Sequence, residues 1–147
     1  MTDIFDDTSF QRQIILENYK KPSNRGLVED DSYKKVHMDS ESCVDDIYVQ
    51  ARIENGVIED IRFDGEACTI STAAASIMSK LLIGKSIADA KDIIDNYNNM
   101  IFEKEYDKEI LEEANVFQTI YMQPNRIKCA LLPWEGAIKI LEEDSDE

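Results

Sequence analysis

The chain lacks the features on which several common functional classes depend. Its five glycines are scattered and form no phosphate-binding loop, and its single histidine, His37, stands far along the chain from Thr69 and Ser71, the hydroxyls it would have to activate. No run of about 18 apolar residues is present, which argues against a membrane-spanning helix. The first twenty residues are acidic and polar and do not resemble a signal peptide. We therefore expect a cytoplasmic protein.

Basic residues are also scarce. There are 16 lysines and arginines against 31 aspartates and glutamates, a formal net charge of -15. Because nucleic-acid affinity depends on basic side chains that neutralise phosphates, we expect no nucleic-acid partner and no anionic membrane surface. The acidity favours solubility and allows electrostatic steering toward a basic protein partner.

The size and the hydrophobic content fit one compact unit. A chain of 147 residues with 43% hydrophobic residues is long enough for a single core. We expect one domain over residues 1–147, with an acidic tail at 142–147 that is disordered.

Helical signals open the chain, and strand signals follow. Thr8 and Gln11 fit a capping box, and the apolar stripe after them ends before Pro22. Residues 22–42 are polar without a sustained period, which predicts a long loop.

Alternation from residue 46 to 53, the Asn55-Gly56 turn and the apolar return to Phe63 predict a hairpin. A second turn at Asp64-Gly65 would lead into a third short strand that ends at Cys68. In such a meander the start of the first strand and the end of the third lie at opposite ends. The loop before the first strand would then have to fold back to bring Cys43 near Cys68.

The second half of the chain reads as helices. Ser71 or Thr72 would cap a helix that is apolar nearly all round and ends at Gly84. Ser86 would cap an amphipathic helix to Ile101. The further helical predictions are a short helix over 116–122 and a last helix from Asn125 to Leu141, which Pro133 would kink or loosen at Cys129. The fold class is therefore α+β, a small three-stranded antiparallel sheet with about five or six helices.

Three cysteines carry the chemistry. Cys43, Cys68 and Cys129 lie far apart in sequence, and Asp45 follows the first by two residues. If the fold brings them together, three thiolates and one carboxylate complete a tetrahedral set for a borderline-soft metal. The alternative is that the cysteines are buried small hydrophobic residues. Spacing alone leaves both open, because no two cysteines form a close pair.

Several motifs together resemble the U-type iron-sulfur cluster assembly proteins, and the SufU branch more than the IscU branch. The motifs that carry the resemblance are the stretch 14–19 with Pro22, Asn24-Arg25-Gly26, Phe63-Asp64-Gly65-Glu66-Ala67-Cys68-Thr69-Ile70-Ser71, and Arg126-Ile127-Lys128-Cys129-Ala130 with Trp134. Lys128 stands where the IscU branch has a histidine ligand, and the acidic segment 103–107 looks like the insertion typical of SufU.

The resemblance implies a zinc ion held by Cys43, Asp45, Cys68 and Cys129. It implies that Cys129 or Cys43 takes part in sulfur transfer, with Cys43 resembling the acceptor of persulfide sulfur from a pyridoxal-phosphate (PLP) cysteine desulfurase of the SufS kind. It also implies that Arg126 assists at the site and that other SUF assembly proteins are partners. Two alternatives stay open. One is a scaffold that carries transient iron or a transient [2Fe-2S] cluster, and the other is a degenerate member that keeps zinc and only binds partners.

The chain departs from the family pattern around its first cysteine. The family has Asn-Pro-x-Cys-Gly-Asp, whereas this chain has Ser40-Glu41-Ser42-Cys43-Val44-Asp45. Where the family glycine has a positive φ, a β-branched Val44 would be strained by about 1–3 kcal/mol.

Overall fold

The architecture is a three-stranded antiparallel sheet covered by helices. The structure, a computed structural model, describes residues 4–39 and 45–145. Within them the strands are β1 (Lys34–Asp39), β2 (Asp46–Glu54) and β3 (Val57–Glu66). The helices are α1 (Thr8–Lys20), α2 (Thr69–Leu82), α3 (Ile87–Ile101), α4 (Lys108–Leu111) and α5 (Pro124–Ser145), with 3₁₀ turns at Ile4–Asp6, Glu112–Phe117 and Ile120–Met122. The predicted α+β class is confirmed.

The core lies between the sheet, α2 and α5. Helix α2 is buried nearly all round, as its sequence predicts, and packs against α1 and α5. Helix α5 in turn lies against α2, α3 and strands β1 and β2. Its Trp134 is fully buried, with its ring stacked 3.7 Å from that of Tyr97. Ser71 at the start of α2 contacts the Cys129 carbonyl, so this end of α2 lies against the first turns of α5.

The sheet has three strands as predicted, but the third strand precedes the 46–63 hairpin instead of following it. Strand β1 lies inside the stretch 22–42 that reads as a loop, because it is an edge strand that buries only Met38 and has Val36 and Met38 as its apolar residues. The predicted turn at Asp64-Gly65 is wrong, since β3 runs straight through it to Glu66. The order is β1-β2-β3, so the 46–63 hairpin forms the second and third strands.

This change decides where the candidate ligands meet. In the β2–β3 pair Asp46 lies opposite Glu66, at the open end of the hairpin. The residues just before β2 and just after β3 are therefore neighbours, and no loop has to fold back across the sheet.

Of three predicted helix caps, two are corrected and one is confirmed. Asp7, rather than Thr8, caps α1, and Gln11 donates to the Phe5 carbonyl instead of completing a capping box. Cys68, rather than Ser71 or Thr72, caps α2. Ser86 caps α3 as predicted.

Helix α5 begins at Pro124 rather than after Asn125, because a proline suits the first turn of a helix. It continues as one helix through Pro133 to Ser145, so residues 142–145 of the predicted disordered tail are helical. Glutamate is a good helix former, which explains the extension through Glu142 and Glu143. The predicted short helix over 116–122 is replaced by two 3₁₀ turns. No helix among the described residues combines the length and the apolarity needed to cross a membrane.

Candidate metal centre

Asp45 lies directly before β2 and points its carboxylate into the protein. It is 2% exposed. Its Oδ1 accepts a hydrogen bond of 2.8 Å from the backbone N–H of Cys68, so the carboxylate ties the start of β2 to the start of α2. Its Oδ2 is 3.9 Å from the Cys68 sulfur.

Cys68 closes the loop after β3 and caps α2. Its backbone is extended, and its Sγ accepts a hydrogen bond of 3.4 Å from the backbone N–H of Ser71. The residue is half-buried. The start of a helix favours negative charge, which suits a thiolate at this position.

Cys129, on helix α5, lies next to Asp45 and Cys68. It lies in the second turn of α5 and is 1% exposed. Its position is set by the packing of α5 against α2, because Ser71 of α2 donates a hydrogen bond of 3.0 Å to the Cys129 carbonyl.

The three groups have the spacing of a metal site. One ligand atom from each of Asp45, Cys68 and Cys129 lies within 4.8 Å of the other two. Three corners of a tetrahedral zinc site are roughly 3.6–3.8 Å apart, given Zn–S and Zn–O bonds of about 2.3 and 2.1 Å. A small closing movement would therefore bring two sulfurs and one oxygen onto one ion. This donor set suits zinc or iron better than a hard cation.

Burial gives a second reason why these residues fit a cation. Each of the two thiols that loses its proton adds a negative charge next to the buried Asp45 carboxylate. Several negative charges are costly to bury together unless a cation is present. Among the described residues, this group of three is the arrangement whose chemistry and distances suit a metal ion.

Two further site residues were predicted, Cys43 and Arg126. Cys43 lies outside the described residues, as does Val44, so the fourth ligand and the strain expected at Val44 stay predictions. Arg126 lies in the first turn of α5, three residues before Cys129. Its side chain is exposed and pairs with no acidic group of the described residues.

Sequence reasoning missed Ser71, which touches all three of the assembled residues. Its N–H donates to Cys68, its hydroxyl is hydrogen-bonded to the Asp45 carboxylate, and the same hydroxyl reaches the Cys129 carbonyl. The signal available was its place three residues after Cys68, which was interpreted as a helix cap. His37, which falls in the stretch 22–42 predicted as a loop, lies in β1, where its exposed ring stacks on Tyr48 and pairs with Asp46.

Comparison with known proteins points to one family. The model of the NifU-like N terminal domain matches residues 10–130. The zinc-dependent sulfurtransferase SufU of Bacillus subtilis is 36% identical over 129 residues, which cover 87% of this chain and 86% of that protein. The iron-sulfur cluster assembly scaffold protein IscU of Streptococcus pyogenes is 32% identical over 124 residues, 84% of this chain and 77% of that protein.

A solved structure agrees with the sequence matches. The crystal structure of FiSufU from Fervidobacterium islandicum AW-1, a candidate scaffold protein for the SUF system, superposes with a TM-score of 0.78. It is 29% identical, and the match covers 88% of this chain and 92% of that one. The sheet and the helices around it are thus shared with that structure.

Proposed function

The chain belongs to the NifU-like N-terminal domain family, and on that premise we propose that it is a zinc-dependent acceptor of persulfide sulfur in iron-sulfur cluster assembly. The resemblance to U-type assembly proteins stated from its motifs is confirmed. The observation that carries the proposal is the meeting of Asp45, Cys68 and Cys129 within 4.8 Å of one another.

Zinc would be held by Asp45, Cys68 and Cys129, with Cys43 as the fourth ligand. When bound, zinc stabilises thiolates at neutral pH and so keeps a sulfur nucleophile available. Asp45 completes the set with a harder ligand than a thiolate. Hydrogen bonds from the Cys68 backbone N–H and the Ser71 hydroxyl hold it in place without a metal.

Cys43 would be the residue that accepts sulfur. Its thiolate attacks the outer sulfur of the persulfide on a cysteine desulfurase, the bond between the two sulfurs of that persulfide breaks, and the desulfurase cysteine leaves as a thiolate. One S–S bond forms and one breaks, so no external oxidant or reductant is required. We propose a PLP-dependent cysteine desulfurase of the SufS kind as the sulfur donor, and other SUF assembly proteins as later partners.

The test measures metal content and sulfur acceptance together. Freshly purified untagged protein should contain one zinc per chain and stimulate the desulfurase in single and multiple turnovers. Cys43→Ala should abolish stimulation while the desulfurase remains bound, because the nucleophile is lost and the docking surface is kept. Undiminished stimulation by Cys43→Ala would overturn the assignment of Cys43.

The same assay tests Arg126. Arg126→Gln should lower the rate of sulfur transfer and leave the zinc content unchanged, since its side chain is exposed and lies outside the ligand set. Lys128→Gln is the matched control, because Lys128 is an exposed cation two residues further along the same helix and its loss changes the net charge equally. An equal effect of both variants would mean that charge alone matters.

A scaffold function is the second candidate, because related proteins from Streptococcus pyogenes and Thermotoga maritima are named scaffolds. Anaerobic reconstitution with iron and sulfide distinguishes the two functions. A [2Fe-2S] cluster that forms on the chain and passes intact to an apo-acceptor would favour the scaffold. Zinc-dependent stimulation without cluster transfer would favour the sulfur acceptor.

A further inference from the structure

Pro133 removes a backbone hydrogen-bond donor from α5 close to the candidate metal site. In an α-helix the carbonyl of residue 129 accepts from the N–H of residue 133. Here residue 133 is a proline, which has no N–H, and it lies inside the continuous helix α5. The carbonyl concerned belongs to Cys129, one of the three assembled residues.

The donor for that carbonyl comes from another helix. The Ser71 hydroxyl lies 3.0 Å from the Cys129 carbonyl oxygen and is itself completely buried. The next carbonyl of α5, that of Ala130, also receives a side-chain donor, since the Tyr97 hydroxyl donates to it at 2.8 Å. Burial raises the pKa of Tyr97 well above its usual value, so the phenol keeps the proton that it donates.

The Ser71 hydroxyl serves two oxygens with a single proton. It is hydrogen-bonded to Asp45 Oδ2 and also lies within reach of the Cys129 carbonyl. A hydroxyl donates one hydrogen bond at a time. When the Asp45 carboxylate is engaged by a cation, the proton is available to the Cys129 carbonyl. The contact between α2 and α5 is thus linked to the state of the site.

We infer that Ser71 is a positioning residue for the metal site, and that its hydroxyl stands in for the helical donor that Pro133 cannot give to the Cys129 carbonyl. This inference rests on the proposed zinc site and extends it to a residue outside the ligand set. Ser71 holds Cys68 through its N–H, and its hydroxyl lies within hydrogen-bond reach of both the Asp45 carboxylate and the Cys129 carbonyl, donating to one of them at a time. Groups that orient ligands in this way commonly change metal affinity by about 10–100-fold when they are removed.

The test is a double-mutant cycle between Ser71→Ala and Pro133→Ala, read as the rate at which a chromophoric chelator removes zinc from the isolated protein. In the native background Ser71→Ala should speed zinc release about 10-fold or more. In the Pro133→Ala background residue 133 regains an N–H for the Cys129 carbonyl. The same substitution should then act at most about a third as strongly.

Tyr97→Phe is the matched control. It removes a buried hydroxyl that donates to the neighbouring carbonyl of the same helix, but this hydroxyl touches none of the three site residues. It should lower the free energy of unfolding by about 1 kcal/mol while leaving zinc release unchanged. The absorbance bands of Co²⁺ put in place of zinc should shift in Ser71→Ala and stay constant in Tyr97→Phe.

Several results would overturn the inference. If Ser71→Ala speeds zinc release equally in both backgrounds, Pro133 has no part in the effect. If Tyr97→Phe also speeds zinc release, the effect of Ser71→Ala reflects a general loss of stability rather than a role at the site. If Ser71→Ala alone fails to fold, a double variant with Pro133→Ala that folds and holds zinc supports the inference, and one that fails overturns it.

Failure of the proposed function looks different from failure of this inference. Chelation of zinc from the isolated protein involves no desulfurase, so normal release kinetics without desulfurase stimulation would overturn the proposed function alone. A wild-type chain that takes up neither zinc nor Co²⁺ would overturn both.

Discussion

At the scale of single residues, Cys68 combines two tasks in one sulfur atom. It belongs to the group of three that suits a metal, and it caps α2 by accepting the Ser71 N–H. A cap is worth about 0.5–2 kcal/mol, so a substitution here affects the fold as well as the site. The two contributions can be separated by the choice of replacement.

We predict that Cys68→Ser and Cys68→Ala lose zinc equally but differ in stability. Serine is a preferred cap and its oxygen can accept the same N–H, whereas alanine cannot, so the zinc-free alanine variant should be less stable than the serine variant by about 1 kcal/mol. Chemical unfolding in the presence of a chelator measures the difference.

The comparison between the two variants is its own control, because both remove the thiol. Equal unfolding free energies would show that the sulfur does not act as a cap. Retention of zinc by either variant would contradict the assignment of Cys68 as a ligand.

At the scale of elements, the β2–β3 hairpin brings Asp45 to Cys68. The two strands approach closely at their open end, where Gly65 has a φ of +127°. A Cβ at this position would lie 2.3 Å from the Asp46 carbonyl oxygen and 2.9 Å from the Ile47 Cα. A side chain would therefore push apart the strand ends that flank the site.

We predict that Gly65→Ala lowers both stability and zinc affinity. The backbone strain costs about 1–3 kcal/mol, and the overlap with β2 adds a similar amount unless the strands separate. Separation would move Asp45 away from Cys68 and weaken zinc binding. Chelator competition and denaturant unfolding measure the two effects.

Gly56→Ala provides the matched control. Gly56 also has a positive φ, +76°, but it lies in the turn at the other end of the hairpin and a Cβ there meets nothing within 4 Å. It should cost only the backbone strain and leave zinc affinity unchanged. A loss of zinc affinity in Gly56→Ala as large as in Gly65→Ala would refute a local effect.

At the scale of the whole molecule, charge opposes compactness. The formal net charge is -15, and ion pairs such as Lys80–Glu113 and Lys108–Asp6 lie at the surface with partly exposed side chains. Exposed pairs contribute little, typically about 0–1 kcal/mol each. Repulsion among the excess carboxylates therefore remains as a term that disfavours the folded state.

We predict that salt stabilises the protein. Raising NaCl from about 0.01 to about 1 M shortens the Debye length from roughly 30 to roughly 3 Å, which screens the repulsion. A gain of about 1 kcal/mol would raise the thermal midpoint by roughly 2–4 °C at this chain length. Scans at constant zinc in NaCl and in KCl should agree. A midpoint that stays constant or falls would contradict the prediction.

Much of this molecule follows from local sequence. The apolar stripe of α2, the cap at Ser86 and the Asn55-Gly56 hairpin were predicted, because period, capping and turn chemistry act over a few residues. Strand β1 was missed because it is an edge strand with little to bury, and its pairing partner decides its structure.

The sequence by itself determined which residues can do chemistry: Cys68, Cys129 and Asp45 carry metal-binding groups wherever they lie, and their motifs indicate the family. Only the tertiary structure decided that these groups meet, because residues 23 and 61 positions apart are joined by strand pairing and helix packing rather than by spacing. It also decided the role of Ser71. A helix cap and a link between three site residues look alike in a sequence, and they differ only once α5 with its Pro133 lies against α2.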